Sequence, residues 1–109
     1  MKISLVQPNF RQGGSAFSGY WLPYSVGCVY SYSAQSPEFK DKLELNKVIF
    51  RREKIEWASD DMLDDDIVLF SCYMWNWEYN KALAKLLKEK SPDVKIVFGG
   101  PQVTEFRNA

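Results

Sequence analysis

"IVLFSCYMWNWEYNKALAKLLKEKSPDVKIVFGGP", residues 67 to 101, decides the fold. Ile67 to Cys72 is a continuous apolar run of strand length, the pattern of a strand covered on both faces in a parallel sheet. Asn76 follows as a helix N-cap candidate. Tyr79, Ala82, Leu83, Leu86 and Leu87 then recur at helical spacing, with Lys81, Lys85, Lys88 and Lys90 turned away. Ser91 and Pro92 stop that helix, and Val94 to Phe98 form the next strand. Strand, helix and strand over roughly 30 residues make one right-handed crossover unit.

The same alternation extends toward the N-terminus. "KISLV", residues 2 to 6, reads as a buried strand closed by Gln7, Pro8 and Asn9. "FRQGGSAFSGYW", residues 10 to 21, has no period and reads as a mobile loop. Residues 22 to 36 place Leu22, Val26, Val29 and Tyr30 on one helical face, with Pro23 in the first turn and Gly27 positioned for a close approach to the sheet. "ELNKVIF", residues 44 to 50, reads as another strand, and residues 51 to 66 as a short helix or irregular crossover that carries its charges outward.

These elements predict one α/β domain over residues 1–109, a Rossmann-like doubly wound parallel sheet in strand order 2-1-3-4 that lacks its last unit. The strand at 94–98 is then an edge with Lys95 as its only charge. So apolar an edge needs a cover, from a longer chain or from a partner, self-association included.

Composition narrows the function. The chain has 14 Lys plus Arg and 14 Asp plus Glu, so neither nucleic acid nor an anionic membrane is expected as a partner. There is no histidine, which removes the commonest general base and transition-metal ligand. Cys28 and Cys72 form no CxxC and read as thiols in a reducing compartment. The apolar run in "MKISLVQPN" is too short for a signal peptide or membrane span, so a cytoplasmic protein is expected. Aromatics reach 16%, with four Trp, more than a core of this size hides, so some line a pocket or interface.

In open parallel sheets ligands bind beyond the carboxyl ends of the strands. That rule selects three loops: Gln7, Pro8 and Asn9 with the 10–21 segment; Ser71, Cys72, Tyr73, Met74 and Trp75; and Gly99, Gly100, Pro101 and Gln102. The paired glycines fit either a tight strand-to-helix turn or a flat ligand lying against the main chain. Trp75 and Trp77 fit a ligand wall, an interface or the end of the core. Gly14 and Gly19 have P-loop spacing, but Tyr20 and Trp21 stand where Lys and Ser or Thr would meet phosphate, so nucleotide hydrolysis is not expected. A flavin or nucleotide pocket at the same strand ends lacks a phosphate-binding fingerprint for the same reason. Asp60, Asp61, Asp64, Asp65 and Asp66 lack calcium-loop spacing and read as a solvated connector, and Arg51, Arg52 and Lys54 read as a solvated strand end rather than a nucleic-acid patch.

Taken together, "ISLVQPN" at 3–9, "LPYSVGCVYSYS" at 22–33 and "FSCYMWNWEYNKALAKLLKEKSPDVKIVFGGPQV" at 70–103 resemble the N-terminal cobalamin-binding domain of B12-dependent radical S-adenosylmethionine enzymes. The resemblance implies that the cobalamin nucleotide tail lies between sheet and helices, with Ser71, Gly99 and Gly100 near the tail and Tyr73, Trp75 and the 10–21 segment near the corrin ring. Gln7, Asn9, Cys72, Pro101 and Gln102 complete the implied cofactor-binding set. Many such domains carry Asp-x-His-x-x-Gly after the first strand, the His ligating cobalt. Here Gln7, Pro8, Asn9 and Phe10 occupy that place, which implies cobalamin held without a His ligand. The radical chemistry needs three closely spaced cysteines for a 4Fe-4S cluster, so S-adenosylmethionine and the cluster are expected in a downstream radical domain. The chain alone is then not catalytic, and it serves an enzyme of methyl transfer or rearrangement. The alternative from another class is a Rossmann-like interaction module that binds no cofactor.

Overall fold

The computed structural model describes residues 1–8, 11–12, 19–20 and 24–101, with backbone alone at 11, 12, 19, 20, 24 and 25. In chain order the elements are β1 (Lys2–Val6), β2 (Arg11–Gln12), β3 (Gly19–Tyr20), α1 (Tyr24–Gln35), β4 (Glu44–Ile49), α2 (Ile55–Asp60), β5 (Ile67–Ser71), α3 (Trp77–Lys90) and β6 (Lys95–Gly99). The main sheet has the order β4-β1-β5-β6, and each of its three pairings is parallel. This is the expected 2-1-3-4 order.

Alternation along the strands divides the core between two faces. Val6, Ile49, Val68, Phe70 and Cys72 point to the face covered by α2 and α3, where they meet Ala58, Met62, Leu83, Leu87 and Val94. Ile3 and Leu5 point to the other face and pack with Val26 of α1 beside Val48, Ile67 and Leu69. At roughly 1.5–3 kcal/mol per fully buried large apolar side chain, the first face supplies most of the hydrophobic stabilisation. Helices on both faces make the sheet doubly wound, as expected.

Four readings need correction. Within residues 10–21, read as loop, Arg11–Gln12 pairs antiparallel with Gly19–Tyr20, because strands of two residues leave no period to read. Asn76 takes the N-cap position of α3 as expected but makes no side-chain cap bond, its Oδ1 accepting the Tyr73 amide instead. A Cβ built on Gly27 meets nothing within 4 Å among the described residues, so no close approach among them requires that glycine. Gly27→Ala is therefore expected to raise stability by up to about 1 kcal/mol, read as a higher urea midpoint, through the greater helix propensity of alanine.

The fourth concerns the acidic run, which is not simply solvated. Asp65 is buried, accepting the Ser4 hydroxyl and, at 2.9 Å, an amide hydrogen of Asn46. Asp66 accepts the Lys2 amide at 2.7 Å, and Asp60 meets Lys90 of α3 at 2.8 Å. The run thus fastens the amino ends of β1 and β5 to their neighbours. Burial raises the Asp65 carboxyl above its ordinary 3.8, opposed by the hydrogen bonds from Ser4 and Asn46 and by the Lys2 charge, with Asp66 adding to the rise. The folded state therefore holds that proton more tightly than the unfolded chain. The stability it contributes is full below 3.8 and is lost as pH rises through the raised value. Urea titrations of the parent and of Asp65→Asn should diverge in that window, the parent losing ground as pH climbs. A difference independent of pH would contradict this account.

Candidate functional site

Where β5 and β6 end, the sheet opens into a cleft of about 200 Å³. Val26 and Val29 of α1 form one wall, Leu69, Phe70, Ser71, Val97 and Gly99 the sheet side, and Tyr73 and Gly100 complete the lining. Strand alternation explains this membership, since Leu69 and Ser71 share a face with Val97 and Gly99, to which they are register neighbours. Lining side chains are mostly aliphatic, with one hydroxyl and one phenol. Such a surface suits a flat, largely apolar group held by a few polar contacts.

The two glycines have different reasons to be there. Gly100 has φ +105°, and a Cβ on it would lie 2.6 Å from the carbonyl oxygen of Cys72. Its freedom is spent on close approach of two loops, reinforced by the Cys72 amide donating to Gly99 O at 2.7 Å. A Cβ on Gly99, by contrast, meets nothing within 4 Å among the described residues. Among them neither backbone strain nor packing requires glycine at 99, and its missing side chain leaves the cleft floor open.

The remaining candidate residues separate. Ser71, Tyr73, Gly99 and Gly100 come together in the cleft. Trp75 reaches it through Tyr73, the two rings stacking at 4.7 Å and 4°. Gln7 is buried, its Oε1 accepting the Val26 amide at 3.2 Å, and so fixes α1 against the end of β1. The Cys72 thiol lies on the opposite face, in the α3-side core, where burial pushes its pKa up and an Asn80 hydrogen bond opposes that. Only the Cys72 backbone faces Gly100, because strand alternation turns side chain 72 away from side chain 71. Pro101 is exposed, while Asn9, Gln102 and most of the 10–21 segment lie outside the described residues.

A second set of contacts lies on the α3 side of the sheet. The Tyr79 hydroxyl donates to Glu53 O at 2.6 Å, and burial followed by the Glu53 charge pushes its pKa up to about 12. The Arg52 guanidinium donates to the Trp75 carbonyl. Arg52, read as solvated, thus ties the segment after β4 to the turn before α3.

Sequence reasoning took Asn76 only as a helix cap and passed over Asn80; both are fully buried. The signal was present: these amides stand four residues apart and continue the buried stripe of Leu83, Ala84 and Leu87. Two polar residues in an apolar stripe require partners.

No family model matches the chain. It is 29% identical over 85 residues to the cobalamin-dependent radical SAM methyltransferase TokK of Streptomyces tokunonensis. Over 85 residues it is also 28% identical to a 2-(S-pantetheinyl)-carbapenam-3-carboxylate methyltransferase of Streptantibioticus cattleyicolor. Each match takes in 78% of this chain and 12% of the relative, so the chain spans about an eighth of the length of either protein. The likeness supports a relation to cobalamin-dependent enzymes at the level of the family.

Proposed function

We propose that this chain is a cobalamin-binding module of a radical S-adenosylmethionine enzyme that transfers a methyl group or rearranges its substrate. The observation that carries the reading is the open floor at Gly99, at the carboxyl ends of parallel strands, in a chain similar to a cobalamin-dependent methyltransferase. Residues at the cleft fit the group: Gly99 leaves room for the apolar end of the nucleotide tail between α1 and the sheet, and Ser71 offers it a hydroxyl.

Val26, Val29, Leu69 and Val97 would exclude water from that tail, and Gly100 would hold the two loops at their separation. Tyr73, Trp75 and the 10–21 segment would face the corrin side, Asn9, Pro101 and Gln102 would complete the contacts, and Gln7 would act from within by fixing α1 against the end of β1. Cobalamin, when bound, supplies the cobalt chemistry, and the chain supplies position and surroundings. With no histidine in the sequence, it would be held without a His ligand. S-adenosylmethionine and the 4Fe-4S cluster would belong to a partner domain further along a longer protein.

The rival reading, an interaction module without cofactor, draws on β6. It stands at the edge of the main sheet among the described residues, with Val97 49% exposed. Titrating the chain with hydroxocobalamin separates the two. The first reading expects a shifted visible spectrum and cobalamin co-eluting with a monomer on a sizing column. A tight dimer with an unchanged spectrum would favour the second and overturn the first.

A further inference from the structure

Deeper than the cleft lies a polar cluster that stability alone does not explain. The Asn76 side chain accepts the Tyr73 amide at 2.8 Å and donates to Pro8 O at 3.1 Å and Ser71 O at 3.0 Å. Asn80, one turn further along α3, donates to Ser71 O at 3.2 Å, to Cys72 Sγ at 3.4 Å and to Asn76 Oδ1 at 3.3 Å. Both asparagines are fully buried, yet Asn80 Oδ1 has no partner among the described residues. A buried carbonyl oxygen left in that state costs about 1–3 kcal/mol. An apolar side chain of similar volume would avoid the cost, so the amides are placed for what they hold, through the hydrogen atoms of both and the Oδ1 of Asn76.

What they hold is the segment that carries two cleft residues. Ser71 is held at its carbonyl and Tyr73 at its amide. Through Pro8 O, the same Asn76 side chain joins that segment to the end of β1, where Gln7 Oε1 anchors Val26 of the opposite cleft wall. We propose that Asn76 and Asn80 are positioning residues for the ligand: from the first turns of α3 they set Ser71 and Tyr73 relative to the β1 end and to α1. The proposal rests on the cobalamin reading of the cleft, although the pair's hold on the loop is testable without any ligand.

The test combines amide hydrogen exchange with hydroxocobalamin titration, on the parent chain and on Asn76→Ala. The Tyr73 amide should exchange at least about tenfold faster in the variant while the amides of β5 keep their rates, and the dissociation constant should rise about tenfold. Asn80→Leu is the second variant, since it removes the unpartnered oxygen. It should keep or raise the melting temperature and still weaken hydroxocobalamin binding several-fold. Unchanged exchange at Tyr73, uniform acceleration through β5, or unchanged affinity in either folded variant would overturn the proposal. A parent chain that takes up no hydroxocobalamin defeats the reading of the cleft instead, and the exchange rates then decide whether the pair holds the loop.

Discussion

Gly100→Ala is expected to lower the unfolding free energy by about 3 kcal/mol, the largest loss of stability anticipated for so small a substitution in this chain. Two causes combine. An alanine at φ +105° sits in a region that L side chains rarely adopt, and its Cβ would lie 2.6 Å from Cys72 O and 3.0 Å from Cys72 N. Those atoms are backbone and cannot swing aside as a side-chain tip would. The Cys72 amide is also committed to Gly99 O at 2.7 Å, so relief of the clash breaks the join between the β5 and β6 ends. Urea unfolding would measure the loss. A midpoint equal to the parent's would contradict the close approach of these loops.

Gly99→Val is expected to do the opposite. Gly99 lies in β6, nothing among the described residues stands within 4 Å of a Cβ placed there, and β-branched residues suit strands. Stability should therefore change by less than about 1 kcal/mol. Binding should not survive so well. Valine's methyl groups would project into a cleft of about 200 Å³ and occupy the floor on which the nucleotide tail is proposed to lie. Excluding an apolar group of that size forfeits about 3 kcal/mol, a rise of roughly a hundredfold in the dissociation constant for hydroxocobalamin. Spectral titration of the folded variant reads this directly. Parent-like affinity would show that whatever binds does not enter between α1 and β6.

The sheet was legible in the sequence because its evidence is local. Ile67 to Ser71 and Lys95 to Gly99 are apolar runs of strand length, and the α3 stripe sits between them, so crossover geometry supplies both parallel pairing and order. Non-local chemistry was harder to see. Asp65 belongs to a run whose composition looks solvated, and its burial depends on Ser4, 61 positions earlier. Gly27 looked like a packing glycine because a helix-interior glycine is costly, but whether a neighbour approaches it is a property of the tertiary fold.

The candidate site divides in the same way. The carboxyl-end rule found Ser71, Tyr73, Gly99 and Gly100 without coordinates. It could not separate a glycine needed for its φ from one needed for its emptiness. Cys72 was placed among the ligand contacts by adjacency to Ser71, although alternation sends consecutive side chains to opposite faces. Asn76 was legible as a polar residue at a helix start and was read as a cap. Only the positions of Pro8, Ser71 and Tyr73 reveal it as a brace between loops.

Whether the cleft seats the nucleotide tail of cobalamin is decided by comparing cobalamin with cobinamide, which carries the corrin but not the nucleotide. The chain should bind hydroxocobalamin at least about tenfold more tightly than cobinamide, and Gly99→Val should abolish this preference. Equal affinity for the two corrinoids, or uptake of neither, would contradict it.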